Sequence, residues 1–494
     1  MSNAAAHGSD PEGCRMSDVF EQVQRLAAPL HDGSDLDPLI ERTGDARFVL
    51  LGEASHGTHE FYFWRAAITR RLVTEKGFGF VAVEADWPDC YQLNRSVIGA
   101  PDAPQDPANV LRGFDRWPTW MWANEEVVTF TRWLRKHNAE RTASQRVGFH
   151  GLDVYSLWDS LRGILGYLRE HEPAHVESVL AAFRCFEPHT EDPQAYARAT
   201  RLVPNSCESP VLEMLTDLRR VAGRGDAAPD ARFNAEQNAL VAAGAEAYYR
   251  AMVAGGPASW NVRDHHMADT LDRLVAHHGE AGGGSPVKAV VWEHNTHVGD
   301  ARFTDMPEAG LVNVGQLVRE RHGEDGVVLV GFGTYSGSVV AADAWGDPAQ
   351  VTTVPGARRG SIEALLHDSI ETPAALFVLP SELPDWLSER RDHRAIGSST
   401  GRAPSGGATT SRRCWAAGTT SSAGSTRPER WPRFRASTPP VENRRPGPRR
   451  GAPRQAPGCV RHHGRCNHPV AGRSGGGVCG RIQETRLRPA PRSL

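Results

Sequence analysis

Glu53 and His56 stand three residues apart in Gly52-Glu53-Ala54-Ser55-His56-Gly57-Thr58-His59, directly after the strand-like run Arg47–Leu51. A carboxylate beside an imidazole fixes its tautomer and raises its basicity, which is what a general base requires. The same pair could instead cap the helix that follows. Three more apolar runs end in the same kind of residue. Phe80–Val83 leads into Glu84-Ala85-Asp86-Trp87, Val147–Leu152 into Asp153, and Ala289–Trp292 into Glu293-His294-Asn295-Thr296-His297. Four runs that all finish in proton-transfer groups read as one active site.

Two other chemistries fit the residue types. His56/His59 and His294/His297 each have three-residue spacing, which suits metal ligands, and Glu84 or Glu293 could complete a set. Neither pair belongs to a His-Glu-x-x-His helix that would anchor such a set. Ser55 as a nucleophile is weaker, because the segment lacks the Gly-x-Ser-x-Gly spacing of a nucleophile elbow.

Near-continuous apolar runs separated by helical patterns predict strands buried on both faces of a mostly parallel sheet, an α/β fold flanked by helices. The C-terminal strand ends of such a sheet share one edge, where ligands bind. Val327–Gly331 and Ala375–Val378 supply two more strands. Helices are expected over Val19–Leu30, Thr58–Glu75 (stopped by Lys76-Gly77), from Pro88, and after Asn124 as N-cap. From about 156 to 284 the pattern is helix after helix, clearest in Leu157–Leu168, Val211–Val221, Asn234–Val253 and Arg263–His277. This reads as a helical insertion, closed by Gly282-Gly283-Gly284. Residues 1–16 are expected to be disordered, with the α/β domain over 17–396.

The 494 residues carry no basic-then-apolar leader at Met1–Asp10 and no apolar stretch near the ~20 residues of a membrane span. Cys14, Cys90, Cys185 and Cys207 are irregularly spaced, as in a reducing compartment, so a cytoplasmic protein without a disulfide framework is expected. No cofactor, membrane or nucleic-acid partner is implied. The net charge of −3 hides two unlike parts. From Ile396 onward there are 19 Arg, 3 Glu and no Lys or Asp, a net +16, while the rest carries 37 basic and 56 acidic residues, a net −19. The tail (397–494) is rich in Arg, Pro, Gly, Ser and Ala and is expected to be disordered. A basic nucleic-acid arm is one reading, and a zinc cluster of Cys459, His462, His463, Cys466 and His468 is another. A frameshift near residue 397 explains more. Read two bases later, Gly407–Thr420 is compatible with Gly-Asn-Tyr-Val-Pro-Thr-Val-Leu-Gly-Arg-Arg-Tyr-Asp.

Gly52–Phe61, Val83–Trp87, Arg116–Trp122, Gly151–Asp153 and Trp292–His297 together resemble the erythromycin esterase family. Asn313–Leu317 and Gly331–Thr334 also fit, so the resemblance covers about residues 35 to 397. It implies a hydrolase that opens a macrolactone ester without a nucleophile or obligatory metal. His56 then matches the base that activates water, and Glu53 its partner. Glu84 and His294 complete the catalytic set that this reading implies. Arg65, His59, Asp86, Asp153, Glu293, His297 and Trp120 are its substrate-binding candidates. The expected partner is a small-molecule ester or macrolactone; a ligand-binding protein without turnover is the alternative outside the enzymes.

Overall fold

The structure, a computed structural model, describes residues 11–189, 193–200, 206–222, 227–284, 286–380, 382–399, 409–413 and 419–424. The chain divides between Glu429 and Arg430, and everything described belongs to the first unit.

The strands are β1 (Ala27–Pro29), β2 (Phe48–Leu51), β3 (Phe80–Asp86), β4 (Gly148–Asp153), β5 (Ala289–Trp292), β6 (Val327–Thr334), β7 (Gly337–Ala341), β8 (Gln350–Val354), β9 (Ala374–Phe377), β10 (Arg391–Ala395), β11 (Thr409–Arg413) and β12 (Thr419–Gly424). Eight of them form one sheet in the order β1-β9-β12-β6-β2-β5-β3-β4. The run β6-β2-β5-β3-β4 is parallel throughout. This is the mostly parallel, helix-flanked α/β sheet expected from the apolar runs.

Alternation explains why those runs lack polar residues. Successive strand side chains face opposite ways. Phe48 and Leu50 join Phe80, Ala82, Val291 and Leu271 in one core. Val49 and Leu51 join Val81, Val83, Trp292 and Phe130 in another. Each buried side chain of this size contributes about 1.5–3 kcal/mol, so a polar residue on either face would be costly.

The insertion is helical as expected, with Leu157–His171, Glu208–Ala222, Pro229–Ala254 and Ala258–Ala281 as its longest members. It has a core of its own around Leu161, Phe186, Tyr196 and Ala239. Gly77 ends the helix His59–Lys76 at φ 70°, and the Asn124 side chain caps its helix by accepting from Val127 N–H.

Three expectations need correction. The first helix is Pro11–Leu26, starting inside the stretch expected to be disordered. It stops before Leu30 because Pro29 biases its predecessor to extended backbone, and the chain becomes β1, antiparallel to β9. Residues 1–10 lie outside the described residues. Cys185 and Cys207 form a disulfide across the insertion, whereas Cys90 is buried and free. Of the segment 397–494, expected to be a disordered tail, residues 397–399, 409–413 and 419–424 are described: β10 pairs with β11, and β12 runs between β6 and β9. The tail's cysteines and histidines lie outside the described residues.

Candidate active site

His56 reaches the cleft because its loop is pinned on both sides. Gly57 accepts from Val340 N–H at 2.9 Å, and Ala54 accepts from Ile396 N–H at 2.8 Å. A Cβ on Gly57 would lie 2.0 Å from the Val340 carbonyl oxygen, so this close approach requires glycine. Tyr62 completes the clamp, its hydroxyl donating to the His56 carbonyl at 2.9 Å.

Behind the imidazole runs a buried polar chain. Arg65 donates to Glu53 Oε2 at 3.0 Å, and Glu53 Oε1 lies 2.9 Å from His56 Nδ1. Arg65 and Glu53 are fully buried. The Arg65 guanidinium lies over the rings of Tyr62 and Trp292, at 4.4 and 5.2 Å. An acceptor at Nδ1 places the ring proton there and leaves Nε2 as the basic nitrogen. His56 lines a cavity of about 670 Å³, counted with its open mouth.

Arg263 is the hub of the cleft floor. It donates to Asp153 through Nε (2.9 Å) and Nη2 (2.7 Å), and to Glu84 Oε1 at 2.6 Å. Its Nη1 lies 2.9 Å from His297 Nε2. Burial alone would raise the carboxyl of Glu84, but His297, Arg263 and His56 outweigh it and hold the group far below the usual range. Asp153 is likewise lowered against burial, chiefly by Arg263. Glu84 Oε2 also accepts from His294 N–H at 2.8 Å, tying the end of β3 to the loop after β5. The His294 ring sits 5.0 Å from that of His56, and its Nδ1 accepts from Thr296 N–H. Thr296 Oγ1 lies 2.9 Å from the same nitrogen.

The structure gathers His56, Glu84, Asp86 and Asp153 at one cavity. Glu53 and Arg65 support His56 from behind. His297 is bound at Nδ1 to Asp264 (2.9 Å) and stacks on Trp260 at 4.5 Å. Both of its nitrogens are therefore engaged, so it does not join His56 and His294 as a metal-ligand set. Among the described residues no group of three His, Cys, Asp or Glu is arranged to hold a metal. Glu293 is fully buried with neither oxygen hydrogen-bonded; burial, reinforced by Glu84 and Asp264, raises it well above the carboxylate range. His59 lies at the surface, 2.5 Å from Glu126, away from the cleft. Trp120 packs edge-on against Trp117, while its neighbours Pro118, Thr119, Met121 and Trp122 supply the wall.

Arg263, Asp264, Trp260, Asp89 and Tyr155 also belong to the site and lie beyond the strand ends that the sequence marks. The signal for the first three was a Trp-x-x-Arg-Asp run on a helix returning to the sheet, which periodicity alone reads as an ordinary amphipathic face.

A family model described as erythromycin esterase matches residues 73–412. Glu84, Asp86, Asp153, Arg263 and His294 lie within that stretch, and the Glu53–His56 loop lies before it. Erythromycin esterase type II of Escherichia coli is 28% identical over 130 residues, 26% of this chain and 29% of the relative. The match thus spans under a third of that relative's length. Among solved structures, a protein described as a succinoglycan biosynthesis protein gives a TM-score of 0.65 at 21% identity, covering 83% of this chain and 97% of its own. A Bacillus cereus protein gives 0.66 at 20% identity, with the same coverage. A mutant of the erythromycin esterase EreC in its open conformation gives 0.59 at 17% identity, covering 82% and 95%. At such identities the likeness concerns the fold.

Proposed function

The chain belongs to the erythromycin esterase family, and from that premise we propose that it hydrolyses an ester or macrolactone with His56 as the general base. The observation that carries this reading is the buried Arg65–Glu53–His56 chain opening on the cavity. His56 Nε2 takes a proton from water, and the hydroxide adds to the ester carbonyl carbon. The tetrahedral intermediate then expels the alcohol oxygen, which recovers a proton, leaving a carboxylic acid and an alcohol. His294, its ring 5.0 Å from that of His56, is the second proton-transfer group. Glu84 holds the His294 backbone, and Arg263 keeps Glu84 and Asp153 ionised on the cleft floor.

A macrolide is the first substrate to try, and resistance to macrolides is the phenotype that its hydrolysis would confer. Mass spectrometry on a panel of macrolides and simpler lactones reads the reaction as a gain of one water. His56→Asn is expected to lower turnover by at least ~10²-fold. Full activity in His56→Asn would remove the base from His56. Bound but unchanged ligand across the panel would mark a binding protein instead.

A further inference from the structure

The carboxylates of the cleft outnumber its cations. Glu84 and Asp153 are matched by Arg263, and Asp86 Oδ2 accepts from Arg116 Nε. Two groups are left over. Asp86 Oδ1 is buried without a hydrogen-bond partner, although Asp86 lines the cavity and is only 5% exposed. Asp89, half-buried on the same cavity wall, makes no ion pair with any described residue. The two share a face: Asp86 is the N-cap of the helix Trp87–Val97 and Asp89 lies in its first turn. Burial, then Asp86 and Asp159, push the Asp89 carboxyl up to about 7 in spite of Arg116. The lining beside them includes Phe114, Trp122, Tyr155 and Trp345. Tyr155 already carries two cations, Arg116 and Arg263, each 4.9 Å from its ring centroid.

We propose that the Asp86–Asp89 wall is a subsite for a protonated or quaternary amine on the substrate. A cation there supplies the missing partner of Asp86 Oδ1, neutralises Asp89, and lies against aromatic faces that favour organic cations. Aromatic walls suit an alkylammonium better than a hydrated metal ion. The subsite rests on this cleft being the substrate site, and it refines the hydrolase reading by restricting the substrate to amine-bearing esters.

Choline and its uncharged isostere 3,3-dimethylbutan-1-ol are the probes, titrated calorimetrically into the full chain. Choline should bind about tenfold more tightly or better. Asp89→Asn, checked for an unchanged melting temperature, should remove that preference, and Asp89→Glu should restore it. In the wild type, choline affinity should also rise as pH passes through about 7, because the probe keeps its charge and Asp89 gains one. Asp86, Asp115, Asp159 and Arg116 also act on Asp89, so the loss of this pH response in Asp89→Asn is what assigns it. Equal affinity for the two probes, no choline binding up to about 10 mM, or an unchanged preference in Asp89→Asn overturns the subsite. Acetylcholine and 3,3-dimethylbutyl acetate, offered as substrates, keep the two proposals apart. Turnover of both esters without preference leaves the hydrolase standing and the subsite refuted. Selective choline binding with no gain of water on either ester or on the macrolide and lactone panel leaves the subsite standing and refutes the hydrolase.

Discussion

Glu53 commits one oxygen to Arg65 and the other to His56. Replacing it with Gln keeps the shape but supplies a single acceptor for two donors. The imidazole then loses the partner that fixes its tautomer. Glu53→Gln should therefore lower kcat by about 10²-fold and leave KM nearly unchanged, since Glu53 supports His56 from behind the cavity. A raised KM with intact kcat would instead place Glu53 in binding. Glu293 makes the opposite use of burial. Its folded-state pKa lies above the unfolded one, so the native state holds the extra proton. That contribution to stability is full below the reference value of 4.5 and is lost as pH rises toward the folded value. Glu293→Gln removes a group that must ionise or stay buried and unpartnered. It should raise the melting temperature near about pH 8 and change it little near about pH 4; equal effects at both would refute a neutral buried acid. At this scale the sequence was informative where residues end strands. Glu53, His56, Glu84, Asp86 and Asp153 were legible because parallel strands deliver their ends to one edge. Arg263, Asp264 and Asp89 sit on helices, where spacing shows which residues share a face but not what that face meets.

The helical insertion was legible as helices but not as an assembly. Its covalent staple joins Cys185, at the end of the helix Val176–Phe186, to Cys207, one residue before the helix Glu208–Ala222. With four scattered cysteines before Ile396 and no framework spacing, nothing in the sequence brings these two together. Their approach is a product of tertiary packing around Phe186, Tyr196 and Val211. A crosslink spanning 22 residues restricts the unfolded chain, and removing one of this span costs about 3 kcal/mol. The double variant Cys185→Ser, Cys207→Ser should lose about that much in urea denaturation and keep its kcat, because neither cysteine lines the cleft. A peptide map without reductant should recover the two segments linked. Two free thiols at these positions would refute the staple. Helix Ala258–Ala281 shows how an insertion serves the site: its Met267, Leu271 and Leu274 pack on the sheet, and this docking carries Arg263 and Asp264 to the strand ends.

For the whole molecule, the decisive element is β12, which fills the gap between β6 and β9. Without it, both neighbours would present unpaired N–H and C=O groups, an invitation to intermolecular pairing. The loop of His56 depends on the same region, through Ile396 at Ala54 and Ser398 at Ala342. Yet Thr419–Gly424 reads Thr-Thr-Ser-Ser-Ala-Gly, with no large apolar residue, between the apolar strands Val327–Thr334 and Ala374–Phe377. Interior strands of such sheets are ordinarily rich in Val, Ile and Leu. A frame change near residue 397 accounts for that mismatch, since the chain would still enter the right slot with the wrong side chains. Three proteins separate the possibilities: the chain as given, a chain ending at Glu429, and a chain with the frame restored near residue 397. The chain ending at Glu429 should melt like the full chain, because the described fold lies within it. The frame-restored chain should melt higher and turn over faster, because large apolar residues in a central strand each add about 1.5–3 kcal/mol when buried. A further truncation after Ile396 should aggregate, as it exposes the β6 and β9 edges. An unchanged melting temperature on frame restoration would count against the frameshift. A stable proteolytic fragment of the given chain ending before about residue 405 would show that β11 and β12 do not hold their places.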